Sequence, residues 1–277
     1  MSAATPAYLT RPDGQRLAYH ALPARRADAA EPGIVFLGGF MSDMTGHKAT
    51  SLHVWAQRSG RAFLRLDYSG HGQSDGAFRD GTLGRWIDDA HAVLAHCGDG
   101  ITGLGGRLVL VGSSMGGWVM VRLAQRLRAA GTAQQAAGLV GIAAAPDFTE
   151  DLLPARLGPE AMATIARDGL IAMPTAYSDT PYIVTQTLID EARGQLVLRG
   201  PIDLDLPVRL LHGSADADVP WTQSQKLMQA FTGDDVTLTL VRNGDHRLST
   251  PRELARLTAT VEMLCTDIAA AASDAGP

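Results

Sequence analysis

LVLVGSSMGGW, residues 108–118, joins an apolar run rich in β-branched residues to a Gly-x-Ser-x-Gly motif. A short apolar run of this kind is typical of a strand that is buried on both faces. The residues from Met115 to Leu127 then carry apolar side chains at helical spacing. Strand, sharp turn and helix are the setting of a nucleophile elbow, in which Ser114 would stand above the sheet at the helix N-terminus. The alternative interpretation of the motif is a surface turn of glycine and serine.

The composition is typical of an ordinary globular protein. Of the 277 residues, 45% are hydrophobic and 19% are charged, and the formal net charge is −5. No basic stripe is present to neutralise phosphates, so no nucleic acid partner is expected. The only cysteines, Cys97 and Cys265, have no nearby cysteine partner, so neither a disulfide framework nor a cysteine-based zinc site is expected. We expect no signal peptide and no membrane span, and the predicted location is cytoplasmic.

Apolar strands alternate with helical patterns along the chain. This alternation is typical of an α/β fold with a mostly parallel central sheet and helices on both faces. The glycine-rich stretch 98–106 precedes its strand, so it is predicted to be a loop and not a phosphate cradle. An opening β-hairpin is predicted at 7–10 and 15–20, further strands at 34–37, 62–66, 108–111, 138–143, 206–211 and 236–241, and helices at 47–59, 83–97, 115–127, 221–232 and 250–271.

The segment 147–200 interrupts the alternation, because it contains no run typical of a buried strand. Short helical pieces, prolines, glycines and scattered apolar side chains are typical of a small helical cap inserted over the strand ends. The alternative is that these apolar side chains are buried inside a small helical lobe. The predicted organisation is an α/β core formed by 1–146 and 201–277, with the cap at 147–200 between its two parts.

A serine hydroxyl becomes a strong nucleophile only when a neighbouring base takes its proton. In enzymes with a nucleophile elbow of this kind, the triad residues follow one another in the chain as nucleophile, acid and base, so the base must follow the acid. The histidine that fits is His246, directly after the last predicted strand. The acid should follow the strand before it, where Asp216 and Asp218 both occur. Asp216 is nearer the strand end and is the predicted acid, whereas Asp218 could cap the next helix. Asp147, after the preceding strand, is the third candidate.

The oxyanion of a tetrahedral intermediate requires two preorganised backbone donors. The predicted donors are the N–H of Met115, directly after the nucleophile, and the N–H of Phe40, after the glycine pair in the loop that follows the first buried strand. No metal site or cofactor is predicted, because His91 and His96 are five residues apart and do not share a helix face.

Five stretches carry a resemblance to a known family: RLDYSGHGQSDG at 65–76, VGSSMGGW at 111–118, MPTAYSD at 173–179, PVRLLHGSADADVPW at 207–221 and GDHRLS at 244–249. Together they resemble the α/β-hydrolase fold superfamily and, within it, the palmitoyl-protein thioesterases that are also acyl-glucuronide esterases. The resemblance covers residues 34–248, with the cap included. Many α/β hydrolases have His-Gly where this chain has Gly38-Gly39.

The resemblance implies an α/β-hydrolase fold with Ser114 as nucleophile, Asp216 as acid and His246 as base. It also implies hydrolysis of thioesters or esters with a long or bulky acyl group, so the expected partner is a small-molecule or lipid-acyl substrate. Under the cap, flexible apolar side chains suit such a chain, and the substrate-binding residues expected there are Met41, Met173 and Tyr177.

Two further functions stay open at this point. A carbon–carbon bond hydrolase of the same fold would use basic groups in the cap to bind a substrate carboxylate, and Arg156, Arg167 and Arg193 could serve. A non-catalytic ligand-binding relative would have a broken triad, whereas all three positions are filled here. Epoxide and haloalkane hydrolases have an aspartate nucleophile at the elbow, and the serine at this position argues against both.

Overall fold

The strand that leads into Ser114 lies in the middle of the sheet. A computed structural model describes residues 5–26, 28, 30–175 and 178–274 of the protein. The central strand β5 (Arg107–Ser113) pairs in parallel with β3 (Gly33–Leu37) on one side and with β6 (Gln135–Ile142) on the other. A strand with a neighbour on each side is protected along both edges, which suits its continuous apolar sequence.

Eight strands form the sheet around this centre. The others are β1 (Ala7–Thr10), β2 (Arg16–Leu22), β4 (Phe63–Leu66), β9 (Val208–Gly213) and β10 (Val236–Val241). Their order is β1-β2-β4-β3-β5-β6-β9-β10. Pairing from β4 through β10 is parallel, and β2 is antiparallel to both of its neighbours. The predicted mostly parallel sheet and the opening hairpin are both confirmed.

Side chains of β5 point alternately to the two faces of the sheet, and both faces are covered. Leu108 and Leu110 pack with α2 (Leu83–Gly100) and α3 (Met115–Ala130). Val109 and Val111 point the other way and pack with α1 (His47–Ser59) and α8 (Pro251–Asp274). This period-two alternation between two apolar layers explains why the strand is continuously apolar from Leu108 to Val111.

The segment 147–200 contains more than the predicted helical pieces. Its helices are α4 (Phe148–Asp151), α5 (Leu153–Asp168) and α6 (Gln186–Ala192), and a short 3₁₀ turn follows at Arg193–Gln195. Between α5 and α6, β7 (Leu170–Thr175) and β8 (Ser178–Thr185) form a separate two-stranded antiparallel ribbon. Leu153, Ile165, Val184 and Ile189 form a small apolar cluster under these elements.

The ribbon was not predicted, and its burial pattern explains why. Side chains along β7 alternate between exposed and half-buried, so the strand has no continuous apolar run. In register, Met173 lies opposite Tyr182. Strands of this kind are recognised from their pairing partner more than from their own sequence.

Two further differences concern the ends of helices. Helix α2 continues through Gly100, so the beginning of the glycine-rich stretch predicted as a loop is its last turn. The helix before β10, α7 (Thr222–Ala230), is shorter than predicted. Across the described ranges, no helix has both the length and the apolar content that crossing a membrane requires.

Candidate active site

Ser114 lies between the end of β5 and the first residue of α3, with φ 55° and ψ −120°. Residues other than glycine rarely adopt this backbone conformation, which costs about 1–3 kcal/mol. The turn is tight on both sides of the serine. A Cβ on Gly116 would lie 2.2 Å from the carbonyl oxygen of Leu37, and a Cβ on Gly112 would lie 2.3 Å from that of Gly116. Glycine is therefore a steric requirement at both motif positions.

The structure brings the hydroxyl of Ser114 and the imidazole of His246 together. His246 Nε2 lies 3.1 Å from Ser114 Oγ, and His246 Nδ1 lies 2.8 Å from Asp216 Oδ2. Because the carboxylate can only accept, a neutral imidazole in this position has its hydrogen on Nδ1. The lone pair of Nε2 then faces the serine hydroxyl, as a general base requires.

The side chain of Asp216 is fully buried and makes four hydrogen bonds. Its Oδ1 accepts from the backbone N–H groups of Asp218 and Val219, both at 2.9 Å. Its Oδ2 accepts from His246 and also from His212 Nε2, at 3.1 Å. Burial alone would raise the pKa of this carboxyl, but the donors from His212, His246 and the backbone outweigh it and hold the pKa well below its usual range.

The loops that carry Asp216 and His246 are held against each other. They follow the neighbouring parallel strands β9 and β10, so both begin at the same edge of the sheet. The N–H of Ala215 donates to the carbonyl of Gly244 at 3.0 Å, and a Cβ on Gly213 would lie 2.2 Å from that same oxygen. Asp245 Oδ1 accepts from the amides of the two residues after His246 at 3.0 Å, which fixes the turn around the imidazole.

The other two carboxylates considered for the acid have different partners. Asp218 Oδ1 forms an ion pair with Arg156 at 2.9 Å, and helix α7 begins only at Thr222, so Asp218 is not its cap. Asp147 is fully buried and accepts from the amides of Val197 and Leu198 at 2.8 and 2.9 Å. Burial raises the pKa of Asp147 although these two amides oppose the shift. Asp147 therefore anchors the chain at the end of the 147–200 segment.

One expected oxyanion donor directly follows Ser114 in the chain, and the other follows a glycine that lies close to Ser114. Met115 is the first residue of α3, where a backbone N–H has no carbonyl one turn earlier to bond. Phe40 follows Gly39, whose added Cβ would lie 3.3 Å from the Ser113 carbonyl oxygen and 3.4 Å from Ser114 Cβ. The loop that carries Phe40 therefore runs close to the turn at Ser114.

A cleft of about 610 Å³ opens above Ser114 and His246. Met41 and Met173, expected to bind substrate, both line it. Tyr177, the third expected substrate-binding residue, lies outside the described residues. Further apolar side chains on the wall of the cleft, which sequence reasoning missed, are Phe148, Leu152, Leu153, Tyr182 and Val184.

Two different reasons explain those omissions. Tyr182 and Val184 belong to β8, so they could not be placed before the ribbon was known. Phe148 offered a usable signal, because it follows β6 at the carboxyl ends of the parallel strands, where α/β sheets bind their ligands. Its ring packs edge-to-face on Phe40 with centroids 5.7 Å apart.

Lys48 also lines the cleft and gave no signal in the sequence. It lies on α1, and its ammonium donates to the carbonyl oxygen of Arg247, next to the candidate base. Burial, together with the positive charge of Arg247, lowers the pKa of Lys48 to about 8, against the opposing effect of Asp245 and other carboxylates. The cleft therefore contains an amine whose charge changes within a mildly alkaline range.

The arginines considered for a carboxylate-binding cap have acidic neighbours. Of the three, Arg156 lines the cleft, and it is paired with Asp218. Arg167 pairs with Asp168 at 2.8 Å. Arg193 pairs with Glu150 at 2.9 Å and with Asp190 at 2.6 Å. Among the described residues, the acidic and histidine side chains with metal-ligand spacing are Asp216, Asp218 and His246, which are the hydrogen-bonded groups already described.

The fold, the elbow and the cleft together are those of an α/β hydrolase. The chain belongs to the alpha/beta hydrolase family, whose model matches residues 34–257. It is 34% identical over 258 residues to the mitochondrial palmitoyl-protein thioesterase ABHD10 of Bos taurus. The aligned region covers 93% of this chain and 79% of the bovine protein. The name of this relative places it in mitochondria. The cytoplasmic location expected from the sequence is therefore not confirmed and stays a prediction.

Two solved structures are similar over nearly the whole chain. A putative hydrolase from Agrobacterium vitis S4 superimposes with a TM-score of 0.87 at 41% identity, covering 94% of this chain and 98% of the other. The mouse alpha/beta hydrolase domain-containing protein 10 gives a TM-score of 0.81 at 32% identity, with 96% and 100% covered. The α/β-hydrolase fold predicted from the motifs is confirmed.

Proposed function

We propose that this chain is a serine hydrolase that cleaves thioesters or carboxylic esters through an acyl-enzyme. Ser114 is the nucleophile, His246 the general base and Asp216 the acid that orients the imidazole. The observation that carries the proposal is the pair of hydrogen bonds on His246, 3.1 Å to Ser114 Oγ and 2.8 Å to Asp216 Oδ2. The name of the bovine relative, a palmitoyl-protein thioesterase, supports thioesters as one substrate class.

The acylation step begins with transfer of the hydroxyl proton of Ser114 to His246 Nε2. The serine oxygen attacks the acyl carbonyl carbon, and the carbonyl oxygen becomes an oxyanion held by the amides of Phe40 and Met115. The imidazolium formed on His246 is stabilised by the ionised Asp216. The bond to sulfur or oxygen of the leaving group then breaks, and His246 returns the proton to the departing thiolate or alkoxide.

Deacylation repeats the sequence with water as the nucleophile. His246 takes a proton from water, the hydroxide attacks the acyl carbon, and the oxyanion is held by the same two amides. Collapse of this intermediate releases the carboxylic acid, and the proton on His246 returns to Ser114. The reaction as proposed requires no cofactor, because each proton is exchanged between the substrate, water and these side chains.

The proposed acyl site is the part of the cleft between the Phe40 loop and the 147–200 segment, which we propose to act as a cap on a core formed by 1–146 and 201–277. Phe40, Phe148 and Met173 give this wall aromatic and flexible apolar side chains. A cleft of about 610 Å³ is within the size range of small-molecule sites. These features favour a long or bulky acyl group over an acetyl group.

A fluorophosphonate probe tests the serine mechanism directly. The wild-type chain should become covalently labelled and should hydrolyse p-nitrophenyl esters and acyl thioesters. Ser114→Ala should fold normally and lose both the labelling and the turnover, whereas Ser59→Ala, at the end of α1, should keep both. Retention of most turnover in Ser114→Ala would refute the mechanism.

A substrate panel tests the reaction class. Rates should be measured across acyl lengths for matched thioesters and oxygen esters, together with a ring-fission diketone acid as substrate for carbon–carbon cleavage. We expect ester or thioester turnover that depends on acyl length. Turnover of the diketone acid alone would favour the carbon–carbon hydrolase, and a folded chain inert to every substrate and to the probe would favour a ligand-binding relative.

A further inference from the structure

A second histidine contacts the carboxylate of Asp216. His212 lies on β9 with its side chain fully buried. Its Nε2 lies 3.1 Å from Asp216 Oδ2 and 2.9 Å from the carbonyl oxygen of Val219. Its Nδ1 lies 2.7 Å from the hydroxyl oxygen of Ser224 on α7. Every polar atom of this buried ring therefore has a partner.

These contacts fix the position of the ring hydrogen. Both neighbours of Nε2, a carboxylate and a carbonyl, can only accept, so Nε2 carries the hydrogen and donates. The hydroxyl of Ser224 can donate, and a neutral His212 accepts it at Nδ1. A neutral ring satisfies all three contacts without placing a cation in a fully buried position. The two acceptors at Nε2 thus fix the tautomer that points a donor at Asp216, and the Ser224 hydroxyl holds the ring through Nδ1.

We infer that His212 is a positioning residue for the catalytic acid, with Ser224 holding the imidazole of His212 in place through Nδ1. The inference rests on the proposed function, because it concerns the orientation of the proposed triad. His212 and His246 both donate to Asp216 Oδ2, while the backbone amides after Asp216 donate to Oδ1. With four donors, the carboxylate has one orientation, and that orientation points Oδ2 at the imidazole.

The same contacts keep the acid ionised. Burial opposes the negative charge of Asp216, and the donor from His212 is one of the groups that oppose burial and lower its pKa. The titratable groups around Asp216 are His212 on β9, His246 after β10, Asp218 in its own loop and Lys48 on α1. Removing the donor on His212 should therefore raise the pKa of the acid as well as loosen its orientation.

The test compares His212→Leu with His212→Gln. Leucine is close to histidine in size but has no donor, whereas the side-chain amide of glutamine can place an N–H near the position of Nε2. For a p-nitrophenyl ester, we expect His212→Leu to lower kcat at least about 10-fold with little change in KM, the loss expected for one hydrogen bond to a charged group. The acidic limb of its pH–rate profile should move to higher pH. His212→Gln should recover most of kcat and the wild-type profile.

Ser224→Ala supplies a second variant, which keeps the histidine itself. It should lower kcat about two- to fivefold, because it removes the hydroxyl that holds the His212 ring through Nδ1, and it should move the acidic limb in the same direction. Ser74→Ala is the control, since it removes a half-buried hydroxyl that bonds to the carbonyl of Asp67 and has no contact with the triad. Its pH profile should match that of wild type.

The outcomes separate the inference from the proposed function. Should folded His212→Leu, or Ser224→Ala if the leucine variant fails to fold, keep the wild-type kcat and pH profile, the role of His212 is overturned while the triad stands. Should Ser114→Ala itself retain turnover, the proposed mechanism fails first. A loss of kcat in His212→Leu that glutamine does not recover, without movement of the acidic limb, would also overturn the inference, because it would indicate a purely structural role.

Discussion

Arg156 on α5 and Asp218 in the loop after β9 form an ion pair of 2.9 Å across the mouth of the cleft. Both side chains line the cleft, and Asp218 is two residues from the proposed acid. The pair therefore joins the 147–200 segment to the loop that holds Asp216. Since Arg156 is nearly half exposed, the pair should contribute less than about 1 kcal/mol to the free energy of unfolding.

Arg156→Ala should raise KM about two- to fivefold and leave the melting temperature nearly unchanged. Without the ion pair, a larger fraction of molecules would have the proposed cap displaced from the core. The apparent affinity for substrate falls with the fraction of molecules in the binding-competent state, so KM rises. Steady-state kinetics with a long-chain ester and a thermal melt measure the two effects. Arg167→Ala is the control, because Arg167 bonds to Asp168 on its own helix. An unchanged KM in Arg156→Ala would contradict the expectation.

Asp216→Asn should lower kcat far more than Asp218→Asn. Asparagine at 216 would point its N–H₂ group at one or more of the N–H groups that donate to Asp216. It would also remove the charge that stabilises the imidazolium, so we expect kcat to fall on the order of 10⁴-fold. Asp218→Asn removes the ion pair with Arg156 and should change kcat less than about threefold. Turnover of one ester by both purified variants decides the matter, and the reverse order would transfer the role of acid to Asp218.

Asp147→Asn should lower stability while the folded variant keeps its kcat. Its two oxygens each accept one backbone amide, from Val197 and from Leu198, and asparagine has a single acceptor oxygen for the two. One buried amide would lose its partner, at a cost of about 1–3 kcal/mol. Chemical denaturation measures the cost, and active-site titration corrects the rate for folded protein. A selective loss of kcat would restore Asp147 as a candidate acid.

Lys48 should react with an amine reagent at a lower pH than an ordinary lysine. The sequence contains two lysines, so Lys226 is an internal reference. Only the unprotonated amine reacts, and the pKa of about 8 predicts a labelling midpoint near that pH. Trace acetic anhydride followed by peptide mass spectrometry measures it. A midpoint close to the ordinary value of 10.5 would be inconsistent with the burial of Lys48.

The same pKa has a consequence for stability. The folded chain binds the Lys48 proton less tightly than the unfolded chain does, so this group destabilises the folded state at pH values below about 8. Its contribution improves as the pH rises through about 8 toward the unfolded value of 10.5. Lys48→Met should therefore raise stability most at neutral pH, as denaturation curves at two pH values would reveal.

Met173→Trp should shift substrate preference toward short acyl groups. Met173 lines the cleft from β7, and a larger, stiffer side chain there would occupy space proposed for a long acyl chain. We expect KM for a dodecanoyl ester to rise about 10-fold and KM for an acetyl ester to stay within twofold. Met263→Trp, on an exposed position of α8, is the matched control. Equal effects on both esters would place the acyl chain elsewhere.

Most of the fold could be predicted from the sequence because the central strands are buried on both faces. Leu108 to Val111 read as a strand from composition alone, and chain order then selected Asp216 and His246, which the structure brings within hydrogen-bond distance of each other. The ribbon of β7 and β8 was missed because half-exposed strands lack that continuous apolar signal. His212 was missed because the predicted strand ended at Leu211, and the sequence does not show which groups a histidine directly after a strand contacts in space.

The backbone of Ser114 places a limit on how stable this protein can become. A residue with a Cβ is held there at φ 55°, at a cost of about 1–3 kcal/mol. Glycine would adopt the same angles without that penalty, so a variant with glycine at position 114 would gain stability but would lack the proposed nucleophile. Under the proposed mechanism, the fold keeps a strained backbone at the reactive serine, and packing elsewhere in the sheet compensates for its free-energy cost.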